Sequence, residues 1–174
     1  GVGVAYKMAC AVASQQNTVD MEAYLDLVAL GTVADIVPLV RENRALVRAG
    51  LEKMRQPSRQ GVLSLIGVAG LKPERITASD IGFGLGPRLN AAGRLDSALR
   101  ALELLITQDV FKAGKLAQEL EVQNRKRQKI TRGIQAQAEE MVLAEDPDGL
   151  LLFAVDPDFN PGVVGLAAAR LVDR

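Results

Sequence analysis

The sequence predicts a mostly α-helical chain of the α/β class, one that closes on the opening of an α/β unit. Three observations carry that expectation. Apolar residues recur at helical spacing, as in Val40 to Met54, where Leu46, Val47, Leu51 and Met54 fall on one face and Arg41, Arg44, Arg48 and Lys53 on the other. Asp109 caps a run from about Val110 to Leu143, in which Leu116, Leu120, Ile130, Ile134, Ala138 and Met141 approximate a heptad stripe. At about 1.5 Å per residue that helix spans on the order of 50 Å, too long for one small core, so it connects two bodies. Finally, Gly149 to Val155 reads GLLLFAV, a buried strand. DPDFNPGVVG then turns and Val164 to Val172 is helical: strand, glycine turn, helix.

The remaining elements follow in order. Tyr6, Cys10 and Ala13 share a face of a first helix. Met21 to Leu30 forms a second, with Asp20 or Thr18 as its cap. Asp35 to Pro38 is a turn, because a proline disfavours helix at Val37 before it. Gln56 to Gln60 links to a short helix over Val62 to Val68, which Gly70 stops, and Thr77 or Ser79 starts another short element. Gly82, Gly84 and Gly86 predict a flexible entry and Pro87 a turn, after which Asp96 or Ser97 caps a helix carrying Leu99, Leu102, Leu105 and Ile106.

Composition narrows the chemistry. Hydrophobic residues make up 48% of the 174 and aromatics only 3%, so the core is expected to be built from Leu, Val, Ile and Ala. Lys plus Arg equals Asp plus Glu at 21 each, a balance that leaves nucleic-acid binding to be decided by clustering. The single cysteine, Cys10, cannot form an internal disulfide. That fits a reducing, cytoplasmic setting and a structural rather than reactive thiol. The start lacks the features of a signal peptide, and no stretch approaches the roughly 18 apolar residues of a membrane helix. The chain has no histidine, which excludes Ser-His-Asp and Cys-His sites and any histidine-ligated metal built from this chain alone. Neither end carries a capping signal, which is expected of a segment excised from a larger protein.

Four groups of residues are candidates for chemistry. Asp35 stands in LVALGTVADIVPL, with no Lys or Arg between Tyr24 and Val40. If that run is buried, the carboxylate needs a metal ion or a cation from elsewhere; otherwise it is a helix cap or pairs with Arg41 or Arg44. Arg88, Asn90 and Arg94 lie among glycines, where they can reach phosphate oxygens or stitch two bodies together. In NPGVVG, Asn160 and Gly162 open a strand-to-helix turn whose N–H groups suit an anion. Arg170 on the following helix either contacts nucleic acid or caps. Arg125 to Arg132, RKRQKITR, holds five basic residues and no acid. A solvated connector helix is preferred there over a phosphate track, since no aromatic residue interrupts the run for base stacking.

Three blocks together resemble the RecJ-like exonucleases of the DHH phosphoesterase family: LDLVALGTVADIVPL with ENRALVRAGL, GFGLGPRLNAAGRLDSALRALELL, and NPGVVGLAAARLVDR. The resemblance implies residues 1–56 as the C-terminal part of a DHH catalytic domain, 57–144 as a helical connector, and 145–174 as the start of a DHH-associated domain. It implies metal-dependent 5′-to-3′ hydrolysis of single-stranded DNA in recombination and repair, with Mn²⁺ or Mg²⁺ as cofactor. Asp35 would then be a metal ligand, and Arg88, Asn90, Arg94, Asn160, Gly162 and Arg170 would contact nucleic acid. Single-stranded DNA is the implied partner, with a single-strand-binding protein and a helicase as candidate protein partners. The family generally carries His where Asn160 stands, so a proton-transfer role there is not expected. One carboxylate cannot hold a catalytic ion, so the segment alone should be silent. The rival readings are a phosphodiesterase of short oligonucleotides or cyclic dinucleotides, and a non-catalytic helical scaffold.

Overall fold

The structure, a computed structural model, describes residues 1–16, 19–95, 97–145 and 153–172. Among these residues the regular structure is helical throughout. The expected strand over Gly149 to Val155 lies mostly outside them, and its last residues, Phe153 to Val155, carry no regular structure.

Helix α1 (Val2–Gln16) packs on α2 (Leu25–Ala34), and α2 packs along α3 (Arg41–Arg55). A 3-10 turn, Met21–Tyr24, precedes α2, and its cap is Asp20, whose carboxylate accepts from the Glu22 N–H. The other expected cap, Thr18, lies outside the described residues. Helix α4 (Gln60–Val68) ends at Gly70, whose φ of 69° is open to glycine at little cost. Thr77 and Asp80 close a reciprocal capping box around the short α5 (Ala78–Asp80). Helix α6 (Gly86–Leu95) follows, then α7 (Leu99–Ile106), entered through a bond from the Leu99 N–H to Ser97 Oγ; Asp96 lies outside the described residues. Helix α8 (Val110–Glu145) runs 36 residues, started by the Asp109 carboxylate 2.8 Å from the Lys112 N–H, and α9 (Val164–Val172) packs on its second half.

The glycine block is a correction. Its glycines and proline form neither a flexible entry nor a turn. The chain stays helical from Ala78 to Leu95, through one widened π turn at Ile81–Leu85. The Gly86 N–H bonds back to the Ile81 carbonyl, five residues earlier. Pro87 has no N–H to give, and it enters just where the ordinary ladder is already interrupted. A Cβ on Gly86 would stand 3.0 Å from the Ala34 Cβ, so glycine here lets α6 close on the end of α2. That contact sets the site described below.

Two cores result. The larger joins α2, α3, α4, α6 and α7 to the first half of α8 through Leu30, Val47, Met54, Leu65, Leu104 and Leu120, all buried. No buried hydrophobic residue described is aromatic. The smaller joins Ile134 and Ile130 of α8 to Val163, Ala167, Phe159 and Leu95. Between the two, the buried face of α8 turns polar at Glu121, Asn124 and Thr131. The expected stripe is therefore two apolar patches, one for each core, with a polar waist between them. On α7 the buried residues are Ala101 and Leu104, while Leu99, Leu102 and Ile106 are exposed. No helix among the described residues is long and apolar enough to cross a membrane.

Candidate metal and nucleic-acid site

The acid of the apolar run, Asp35, is not buried; the buried acid is Asp26, the residue just before the run. Asp26 is 4% exposed, and its Oδ2 lies 3.1 Å from Arg59 Nε. Arg59 also donates to the Ala23 carbonyl and covers the Tyr24 ring at 5.5 Å. The cation that the run itself lacks thus comes from just before α4.

Asp35 is exposed at the C-cap of α2. Its N–H is bonded to the Gly31 carbonyl, and the chain leaves through Ile36 at a left-handed φ of 53°. No ion pair joins its carboxylate to Arg41, Arg44 or any other described residue, so the pairing alternative is not what the structure adopts. A helix C-terminus concentrates partial negative charge on unsatisfied carbonyls, and a carboxylate there is disfavoured by the dipole. A cation relieves both. The residue lines a groove with Val2, Gly31, Ala34, Leu89 and Asn90, so that the close α2–α6 approach brings Asp35 and Asn90 to one cleft. A neighbouring groove, also lined by Asp35, holds Glu42. That carboxylate is taken by Lys7 at 2.6 Å, and the bond raises the Lys7 pKa above its usual value. Among the described residues no three His, Cys, Asp or Glu side chains gather as a metal site. One exposed carboxylate cannot hold a divalent ion by itself, so any such site at Asp35 would need ligands from elsewhere.

The second constellation divides. Arg88 turns inward, with Nε 2.7 Å from Glu121 Oε2 and Nη1 donating to the Gly84 carbonyl. It ties the π turn to α8 within the larger core rather than joining two bodies. Arg94 is exposed and its Nη1 donates to the Gly162 carbonyl at 3.1 Å, joining the end of α6 to the turn before α9. In that turn Asn160 Oδ1 accepts from the Gly162 N–H, and the Asn160 carbonyl accepts from the Val163 and Val164 N–H groups. The amides expected to face an anion are thus satisfied within the turn. Arg170 is exposed on α9.

Arg127 was hidden in the basic run. It lies one turn before Ile130 on the buried side of α8, and its Nε is buried without a hydrogen-bond partner. Burial first, then the charges of Arg94 and Arg170, lower its pKa from the ordinary value. The stripe of Ile130 and Ile134, extended back by one turn, is the signal that could have found it.

No protein-family model matches the chain. Its whole length is 41% identical to part of the single-stranded-DNA-specific exonuclease RecJ of Bacillus subtilis, and spans 22% of that protein. It is 34% identical to the crystal structure of RecJ from Thermus thermophilus in complex with Mn²⁺, with a TM-score of 0.84 over 94% of this chain and 24% of that one. The chain belongs to the RecJ family. A crystal structure of exonuclease RecJ bound to manganese superposes with a TM-score of 0.87, at 34% identity, over 98% of this chain and 43% of that one. The chain thus spans less than half of each of these RecJ chains.

The α6–α9 junction of this RecJ segment yields a first expectation. A Cβ on Gly162 would stand 2.1 Å from the Arg94 carbonyl oxygen, a backbone atom that no rotamer change can move. Gly162→Ala should separate the turn from α6 and weaken the junction by about 1–3 kcal/mol or more. Hydrogen exchange in the full-length protein should then speed up across α9 and leave α2 unchanged.

Proposed function

We propose that the full-length protein containing this chain is a metal-dependent exonuclease that hydrolyses phosphodiester bonds of single-stranded DNA from the 5′ end, in recombination and repair. The single observation that supports it is the whole-chain match to RecJ, at 41% identity in sequence and a TM-score of 0.87 in structure. The matched RecJ structures in complex with Mn²⁺ and with Mg²⁺ support either ion as the cofactor. A bound divalent ion supplies Lewis-acid charge that offsets the negative charge developing on the phosphate.

Within that reading this chain has three tasks. Asp35 contributes one carboxylate to the metal site and fixes its place at the end of α2. Asn90, across the same cleft, donates its amide N–H to a phosphate oxygen near the scissile bond. Arg94 and Arg170 guide the strand beyond it, along a path floored by Asn160 and Gly162. Arg88 acts one step back by holding Glu121. The boundaries follow the same logic: 1–56 ends a DHH catalytic domain, 57–144 connects, and 145–174 begins a DHH-associated domain. The segment alone is inactive, because one carboxylate cannot hold the ion. A cytoplasmic location, and a single-strand-binding protein and a helicase as partners, belong to the same proposal.

The test is substrate length. With Mn²⁺, the full-length protein should degrade long single strands processively from the 5′ end and leave duplex DNA intact. Cleavage of only very short oligonucleotides or cyclic dinucleotides would move it to the phosphodiesterase reading, and no hydrolysis at all to the scaffold.

A further inference from the structure

Packing at the polar waist gathers positive charge without an evident counter-charge. Leu95, Ile130, Ile134, Val163 and Ala167 form one small core. Arg94 immediately precedes Leu95, Arg127 lies one turn before Ile130, and Arg170 lies one turn after Ala167. The three helices therefore each carry one arginine to the border of this core, and the charges of Arg94 and Arg170 bear on Arg127. No ion pair joins any of the three to a carboxylate among the described residues. Arg94 spends one N–H on the Gly162 carbonyl, and the buried Arg127 Nε has no hydrogen-bond partner. Like charges held together in a partly desolvated place repel, and an oxyanion with several acceptor oxygens removes the repulsion and satisfies the orphan donor.

We propose that Arg94, Arg127 and Arg170 form one phosphate-binding pocket where α6, α8 and α9 meet, and that filling it locks α9 onto α8. The phosphate is taken to be one of the strand backbone, which rests on the function proposed above. Each helix contributes one arginine, so the pocket is complete only when α9 is docked. Binding and docking are then linked: whatever binds the assembled pocket favours the docked state by its differential affinity. This gives Arg127 a role in gripping the strand when α9 is docked.

The experiment uses the full-length protein in EDTA, so that nothing is cut. Binding of a single-stranded oligonucleotide is measured against salt for the wild type, for Arg127→Gln, and for Lys115→Gln, an exposed control elsewhere on α8. Arg127→Gln should weaken binding by about tenfold or more, the scale of a lost charge-assisted hydrogen bond. It should also flatten the log K against log salt slope by about 0.7, one single-strand phosphate contact. Lys115→Gln should do neither. In parallel, inorganic phosphate should slow hydrogen exchange across α9 of the wild type but not of Arg127→Gln, and the oligonucleotide should displace it.

A folded Arg127→Gln protein with wild-type affinity and slope overturns the proposal, as does α9 exchange indifferent to phosphate. Phosphate protection that the oligonucleotide cannot displace overturns the strand as its source. If Arg127→Gln does not fold, the wild-type phosphate titration and Arg127→Lys, which keeps the charge but loses the fork, decide alone. A wild type that ignores single strands while phosphate still protects α9 sinks the exonuclease reading and leaves the pocket standing.

Discussion

Asp35→Asn in the full-length protein should lower Mn²⁺-dependent cleavage of single-stranded DNA by at least about 100-fold, while leaving stability equal or slightly higher. Loss of a partner one shell out from a metal already costs roughly 10–100-fold, and a direct ligand should cost more. The stability half of the prediction comes from the geometry. The Asp35 carboxylate is exposed, is joined to no described side chain by a hydrogen bond or ion pair, and sits where the α2 dipole is negative. Removing a charge from that end stabilises a helix by about 0.3–1 kcal/mol. Activity down with stability up is the signature of a residue kept for chemistry. Parallel loss of both would instead mean that Asp35 supports the fold. Initial rates and a thermal melt on the same preparation separate the two.

Glu121→Gln should act the opposite way, on the fold first. Glu121 is 6% exposed and holds two arginines, Arg88 Nε at 2.7 Å and Arg125 Nε at 2.6 Å. Arg125 is mostly exposed and contributes little through this contact. Arg88 is the costly partner, because its side chain is only 14% exposed and would be left as a buried charge without a counter-ion. Breaking such a pair from one side costs about 3–5 kcal/mol. Hydrogen exchange should rise in α6 and in the facing stretch of α8, and the loss should be larger than for Arg125→Gln. Replacing both partners, Arg88→Met with Glu121→Leu, should recover most of the stability, because a well-packed apolar pair of similar volume is close to neutral. Failure of the double variant to recover would assign Arg88 a role beyond pairing, with its bond to the Gly84 carbonyl the first candidate.

How much of this was legible in the sequence depends on the range of the force involved. Caps are local, so Asp20, Thr77 and Asp109 marked helix starts that the structure repeats. The face of α3 was equally readable, with Val47 and Met54 buried. The glycine block departs from its local propensity because its conformation is decided by a distant residue. Gly86 serves the contact with Ala34, and propensity alone describes glycines and a proline as a break. Which acid is buried, Asp35 inside the apolar run or Asp26 just before it, is likewise not a local matter. Hydrophobic neighbours surround both Asp26 and Asp35, and only the helix end at Ala34 decides which one faces water.

The site divides along the same line. Asp35 and Asn90 could be singled out from their sequence blocks, but the groove they share follows from tertiary packing across α2 and α6. Arg88 looked equivalent to Arg94 in spacing. Their fates differ because Glu121 of α8 lies behind one, and the Gly162 turn in front of the other. Arg127 was submerged in a run of similar charges, and only its alignment with the buried stripe of α8 distinguishes it.

In the proposed function, the Asp35 carboxylate ligates a divalent ion together with groups from outside this chain. Calorimetric titration of Mn²⁺ into the full-length wild type and Asp35→Asn, at fixed pH and without DNA, tests it most directly. The variant should lose one bound ion or bind it at least about 100-fold more weakly. Equal stoichiometry and equal affinity in the two proteins would contradict it.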